Sequence, residues 1–384
     1  MNTPRIAVVG TGTIGSQVLW QLARQGVDAV GYELYSPGHP RGAAGGESRL
    51  FRYIELEDMR YFPVVQRANQ LWNELQEWSQ VRLRYLDGAL TIAEEGSNAS
   101  LTALKSVELL SDRAVVLSRD EMRRQHPYFR LHENEYGILD KDAGTIYPDR
   151  AIQAASSAAI AQGASLRTES RVTDIIQRGS QVLVRTDRGD DLFDRVVVAA
   201  GAWTSTLMPE MAPLLAPRRL LSTWYLPRPG TSLSGVKPYI RADPNYSYGL
   251  PTADGSSMKL GLGFANHKVI ESPDSADSRV VEADLTAVRE LVEDLLPQLE
   301  SYPMRINSYF ESYTRSRVEY VGWLPSMDNV VVMAGFSGKG FKTSPAIGEL
   351  GSQLVLEQDL SEEFKFIVEQ NHRPFGQQEP QDQT

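Results

Sequence analysis

The stretch Ile6-Ala7-Val8-Val9-Gly10-Thr11-Gly12-Thr13-Ile14-Gly15 decides how the rest of the chain is read. An apolar β-branched run feeds a glycine-rich turn, and apolar residues then recur at helical spacing at Ile14, Val18, Leu19, Leu22 and Ala23. In such a unit Gly10 makes the tight turn, Gly12 lets backbone approach a pyrophosphate, and Gly15 lets helix pack close on strand. The helix start around Thr13 and Ile14 supplies N–H donors for phosphate oxygens. A second apolar run, Val27 to Tyr32, ends in Glu33, at the distance where a carboxylate accepts hydrogen bonds from an adenosine ribose. Strand, turn, helix, strand and acid in one short unit point to dinucleotide binding. A glycine-rich turn without a ligand would leave Glu33 unexplained.

Composition narrows the rest. A chain of 384 residues exceeds what one hydrophobic core usually organises, so two domains are expected. The net charge of −10 opposes a nucleic-acid or anionic-membrane partner. The chain has no cysteine, which removes disulfides, thiolate metal sites, thiol nucleophiles and any cysteinyl link to a cofactor. Its five histidines form no pair at ligand spacing, and no metal site is expected. No signal-like leader precedes the first strand and no apolar run reaches bilayer thickness, so a cytoplasmic protein is expected, compatible with a monomer.

Along the chain, α/β texture at the start, middle and end is interrupted twice. Residues 1–82, 147–216 and 315–376 are expected to form a discontinuous Rossmann-like nucleotide-binding domain. Residues 83–146 and 217–314 are expected to form an inserted antiparallel-sheet domain for the substrate, and 377–384 a polar tail. Helices are expected over an apolar face running from Val64 to Trp78, over Asn98 to Leu110, after a Ser118/Glu121 capping box, and from an Asp149 cap to Gly163. Another is expected after Ser344 as cap, with Pro345 at its first position. A second buried strand runs into Gly201-Ala202-Trp203, where further backbone could lie against the same nucleotide.

Four groups of residues carry candidate chemistry. In Met258-Lys259-Leu260-Gly261-Leu262-Gly263, alternation places Lys259, Gly261 and Gly263 on one face, open to something flat with an ammonium at its edge. An exposed strand with a solvated lysine fits the same spacing. The loop from Gly335 to Lys342 precedes a helix and favours negative charge, though such turns are common. Arg49 and Arg52 are either surface charges or, at Arg52, a fork for a carboxylate. Tyr248 and Tyr313 either wall a small pocket or simply pack.

Taken together, Gly10-Thr11-Gly12, Ser48-Arg49, Gly201-Ala202-Trp203 and Ala334-Gly335-Phe336-Ser337-Gly338, followed by Gly340-Phe341-Lys342, resemble one family across nearly the whole chain. It is the monomeric sarcosine oxidase and N-methyltryptophan oxidase group of the D-amino-acid-oxidase-like flavoproteins. The resemblance implies the glutathione-reductase and p-hydroxybenzoate-hydroxylase type of fold. It implies FAD held by the fingerprint and Glu33, by Ser48, Arg49, Val172, Gly201 and Trp203, and by Gly335, Gly338, Gly340, Phe341 and Lys342. Arg52 and Lys342 would bind a substrate carboxylate, Lys259 would reach flavin N5 through water and promote reaction with oxygen, Arg49 would lie over the ring, and Tyr248 and Tyr313 would line the pocket.

Three departures stand out. The family's flavin-linking cysteine matches Glu311, so FAD is expected without a covalent bond. Histidines of the family match Gly263 and Gly45, losses expected to widen the site and favour a bulkier N-substituted amino acid or a sugar-derived amine over sarcosine. No histidine or carboxylate falls in the matched pocket positions, so the amine is expected to react as the neutral base, with an alkaline optimum. The expected reaction is oxidation of a carboxylate-bearing secondary amine, with hydride transfer to flavin N5, imine hydrolysis and O2 reduced to H2O2. The residues alone leave open a dehydrogenase of the same fold with another acceptor, a deglycating oxidase, a module binding its nucleotide for structure, and an NAD(P) enzyme.

Overall fold

The computed structural model describes residues 4–370, so the expected tail at 377–384 and the end of the last expected nucleotide-binding segment lie outside the described residues. The fingerprint forms as read. Strand Arg5–Val9 leads into helix Gly15–Arg24 and strand Asp28–Tyr32, which pairs parallel to the first. These strands belong to a six-stranded sheet ordered Tyr320–Leu324, Met327–Ala334, Arg195–Val198, Arg5–Val9, Asp28–Tyr32, Ser165–Arg167, antiparallel only at the first pair. The first strand is apolar without alternation because both its faces are covered. Ile6 and Val8 join the core beneath helices Gly15–Arg24, Pro148–Ala161 and Gly340–Val355. Ala7 and Val9 join a second core, shared with the three-stranded sheet of Val172–Arg178, Gln181–Thr186 and Gly189–Phe193.

A nine-stranded sheet is assembled from two separated stretches, 89–140 and 215–314. It is antiparallel except where Tyr239–Arg241 runs parallel to Ala89–Glu94, the seam at which the two stretches meet. A parallel seam needs no hairpin between its strands, which suits segments so far apart in the chain. Met258 and Leu260 of strand Met258–Leu262 pack with Val288, Leu291 and Val292 of helix Thr286–Leu295. Alternation then turns Lys259 and Gly261 to the opposite side, toward the nucleotide-binding sheet.

Three helix expectations change. The helix expected after Ser344 is Gly340–Val355, with Lys339 as N-cap and Pro345 inside it. It starts a turn earlier because its first four N–H groups need no intrahelical partner, so a glycine-rich segment can begin it. Pro345 then costs it one bond in its second turn. Helix Pro148–Ala161 is capped at Tyr147, with Pro148 at its first position rather than Asp149 as the cap. Trp78 of helix Tyr61–Ser79 is 45% exposed, since the apolar stripe ends on the core at Leu75. The Ser118/Glu121 capping box forms as expected. Among the described residues no helix is long and apolar enough to cross a membrane.

Candidate active site

The carboxyl ends of Arg5–Val9, Arg195–Val198 and Met327–Ala334 open into one cavity of about 350 Å3. The fingerprint turn forms its floor. Gly10 has φ +83°, and an added Cβ there would meet Ala199 O at 2.7 Å. A Cβ at Gly15 would lie 1.8 Å from Gly10 O, so this glycine serves helix packing from behind the cavity. A Cβ at Gly12 would meet nothing of the protein within 4 Å, leaving that edge of the turn accessible to a ligand. Thr13 Oγ1 is buried with no partner among the described residues, at the N-terminus of helix Gly15–Arg24 where an oxyanion is favoured. Glu33 Oε2 accepts from the Thr11 N–H at 3.1 Å and Oε1 from the Tyr35 N–H at 3.1 Å, with His39 Nε2 at 3.4 Å from Oε1. These groups suit a dinucleotide: orphaned donors for the pyrophosphate and a buried carboxylate for the ribose.

Of the other residues expected at the nucleotide, Arg49, Val172, Gly201, Trp203, Gly335, Gly338, Gly340 and Phe341 line this cavity. Ser48 supports it through its carbonyl, and Lys342 lies further along. Sequence reasoning missed Asp274, which also lines the cavity; it accepts from Trp203 Nε1 at 3.0 Å and pairs with Arg171 at 2.9 Å. Glu311 lines it too, its Oε1 accepting from the Gly338 N–H at 2.8 Å. Burial raises the Glu311 carboxyl pKa, with Arg49 and that N–H opposing.

Beside the cavity, two cations converge on one acceptor. Lys259 Nζ donates to Ser48 O at 2.6 Å and Arg49 Nη1 to the same oxygen at 2.7 Å, while Arg49 Nη2 donates to Ala43 O. Lys259 is 1% exposed, so it is not the solvated lysine of a surface strand. Burial, with Arg49 adding to it, holds its pKa well below the ordinary lysine range. The glycines on its strand are not open to a flat ligand, however. A Cβ at Gly261 would meet Tyr248 at 2.3 Å, and one at Gly263 would meet Tyr246 at 2.8 Å. At Gly45 it would meet Pro40 O at 2.4 Å and Tyr309 at 2.9 Å. At Gly263 and Gly45, two tyrosines and a carbonyl occupy the space that lost histidines were expected to free, so the site is not widened there.

Strand Arg49–Phe51 pairs antiparallel with Gly144–Ile146, and the chain's alternation sends Arg49 and Arg52 to opposite sides. Arg52 is 8% exposed and its Nη1 has no partner among the described residues. Lys342 stands in the first turn of Gly340–Val355, where its carbonyl accepts from Trp72 Nε1 at 3.0 Å. Its ammonium pairs with Glu55, a buried residue that sequence reasoning also missed. The available signal was an acid set between Ile54 and Leu56, both buried. Burial and the neighbouring Arg52 lower the Lys342 pKa to about 8, against the pull of Glu55.

Tyr313 is 3% exposed and its hydroxyl lies 3.1 Å from His267 Nδ1. His267 Nε2 meets Leu262 O at 3.0 Å, which can only accept, so Nδ1 accepts from the phenol. Burial lowers the His267 pKa to about 4 and raises that of Tyr313 well above its usual value. The matched pocket positions hold no histidine or carboxylate, but His267 meets Tyr313 and Glu55 meets Lys342 from other positions. Among the described residues no group of three or more His, Asp and Glu could hold a metal ion.

A family model described as FAD dependent oxidoreductase matches residues 5–354. The chain is 29% identical over 371 residues to monomeric sarcosine oxidase of Bacillus sp. (strain B-0618), covering 93% of this chain and 94% of that protein. It is also 29% identical over 366 residues to peroxisomal sarcosine oxidase of Homo sapiens, covering 92% and 93%. The solved open form of NikD, an unusual amino acid oxidase essential for nikkomycin biosynthesis, shares the fold with a TM-score of 0.79 at 22% identity, over 96% of this chain and 98% of that one. With a match running from the first strand into helix Gly340–Val355, and a cavity whose donors and carboxylate suit the dinucleotide, the chain belongs to the FAD dependent oxidoreductase family.

Proposed function

We propose that this FAD-dependent oxidoreductase is an oxidase of a secondary, N-substituted amino acid. The observation that carries the reading is Arg52: a guanidinium 8% exposed whose Nη1 has no partner among the described residues, beside Tyr246. A buried, under-satisfied guanidinium calls for an anion, and a carboxylate matches its planar fork. The sarcosine oxidases among its relatives support an amino acid as the bearer of that carboxylate. The filled positions at Gly45 and Gly263 give no reason to favour a bulkier amine over a small one.

When bound, FAD supplies the hydride acceptor for the carbon beside the substrate nitrogen and the electron route to O2, for an overall yield of imine, which hydrolyses in water, and hydrogen peroxide. The protein's part is positioning and charge. Arg52 fixes the carboxylate end of the substrate, which limits how the amine-bearing carbon can lie. Buried Tyr313 and half-buried Tyr248 exclude water around it. Lys259, held with Arg49 on Ser48 O and with its pKa lowered by burial and by Arg49, is the proton donor the site offers to reduced oxygen, regaining its proton from water. Non-covalent attachment of the flavin is supported by the absence of cysteine and by Glu311 holding the Gly338 N–H.

An anaerobic screen of secondary and primary amino acids tests the proposal by loss of the yellow flavin absorbance, with a peroxide assay in air. Arg52→Ala is expected to weaken a carboxylate inhibitor by roughly 2–5 kcal/mol, the usual cost of truncating one side of a buried charge pair. An unchanged affinity, or no amine that bleaches the flavin, rejects the reading.

A further inference from the structure

Arg52, Glu55 and Lys342 do not form the arrangement in which two cations share one incoming carboxylate. Lys342 and Arg52 are each 8% exposed and Glu55 is 4% exposed. The Lys342 ammonium is taken by Glu55 Oε1. Glu55 is steadied at its backbone, whose N–H donates to Ser106 Oγ at 3.0 Å from helix Asn98–Leu110. Lys342 is steadied by the Trp72 bond to its carbonyl and by the stacking of Trp72 on neighbouring Phe341, centroids 6.1 Å apart. Each member of the pair is thus held by a different helix, and the contact does not depend on either side chain alone.

The electrostatics of the group follow from this placement. Among the three buried side chains, two cations and one anion leave one net positive charge, which balances a single carboxylate; the exposed Glu57 is a further anion within electrostatic reach of Lys342. A ligand carboxylate that displaced Glu55 from Lys342 would strand a buried, unpaired anion, which is costlier than losing an exposed bridge. One that bound without displacing it would face Glu55 at close range. Arg52, by contrast, offers an Nη1 with nothing to give up.

We propose that Glu55 is a specificity-determining residue that withdraws Lys342 from anion recognition, so that the site takes amines with one carboxylate, anchored by Arg52, and discriminates against amino dicarboxylates. This rests on the amine oxidase reading. Glu55 acts through Lys342 and is a positioning residue.

The test is titration calorimetry on the holoenzyme with two ether analogues, methoxyacetate carrying one carboxylate and diglycolate carrying two. The wild-type protein is expected to bind diglycolate about tenfold or more weakly than methoxyacetate. Glu55→Gln frees the ammonium of Lys342, and diglycolate is expected to gain about tenfold while the preference for methoxyacetate closes; close charge pairs have couplings of this order. Glu55→Asp keeps the charge and is expected to restore the preference, which a merely structural role for Glu55 would not predict. Wild-type protein that binds both ligands equally, or a Glu55→Gln variant with an unaltered preference, overturns the proposal. Should Glu55→Gln fail to fold, the neutral pair Glu55→Gln with Lys342→Gln carries the test. Its methoxyacetate affinity is expected within about threefold of wild type, against a loss of about tenfold or more in Arg52→Gln; an equal loss in both overturns the proposal. A failed amine screen would sink the oxidase reading and leave this ratio as measured, so the two failures are distinguishable.

Discussion

Lys259 is the residue whose placement is hardest to explain by stability. Its side chain is 1% exposed, its ammonium donates to Ser48 O, and Arg49 shares that oxygen. A cation desolvated beside another cation favours the neutral form, so the folded pKa lies below the ordinary 10.5. At neutral pH the unfolded lysine is freely protonated, whereas the folded one must either lose its proton or be charged without water. Both alternatives lower stability below the ordinary pKa, and the penalty fades as pH rises toward 10.5. Lys259→Met is therefore expected to melt at or above the wild-type temperature at pH 7, with the advantage shrinking in alkali. If the lysine serves oxygen chemistry, anaerobic stopped-flow mixing should show reoxidation by O2 slowed by about 100-fold or more, with flavin reduction changed far less. A lower melting temperature, or equal slowing of both half-reactions, would remove the assigned role.

Two helices direct their first turns at the nucleotide cavity, and their contact is unusually close. Gly348 of Gly340–Val355 lies where an added Cβ would meet Gln17 Cβ at 2.5 Å and the Gln17 backbone carbon at 2.7 Å. A methyl group there must push helix Gly15–Arg24 aside, because backbone cannot rotate away as a side-chain tip can. Gly348→Ala is expected to destabilise the protein by about 1–3 kcal/mol, the usual cost of overpacking. A lower denaturation midpoint checks this, and weaker FAD retention should accompany it, since both helix termini shift at the cavity. An unchanged midpoint would mean that the interface has slack the contacts do not show.

The cavity is bounded by segments that belong to different sheets. Asp274, in the connection between Lys268–Val269 of the nine-stranded sheet and the short helix Glu282–Asp284, reaches Arg171 and Trp203. All three side chains line the cavity, so the connection acts as a clasp from one sheet onto the other. In a protein expected to hold its flavin without a covalent bond, such a clasp governs release. Asp274→Ala is expected to speed dissociation of FAD several-fold, read as the rise of free-flavin fluorescence after dilution, with little change in melting temperature because its bridges are partly exposed. An unaltered release rate would show that the clasp carries no load.

Much was legible without coordinates, and for a physical reason. Glycine at a tight turn, period-two and helical alternation, a capping box and an acid at a strand end all act over a few residues, so their spacing is written locally. The fingerprint, Glu33, the segments that meet at the cavity and the strand carrying Lys259 could be read this way, but not whether that lysine is buried. What the spacing could not contain was which side chain fills which space. Lys259 meets Ser48 across 211 positions and Lys342 meets Glu55 across 287. The tyrosines over Gly45, Gly261 and Gly263 likewise arrive by strand pairing or from remote strands. The sequence by itself determined a dinucleotide-binding architecture and, through its resemblance to a flavoprotein family, singled out the cations expected at its site. Only the tertiary structure decided that one of those cations is already paired and that the expected extra room is filled, because long-range packing selects partners by proximity in space and leaves no periodic trace along the chain.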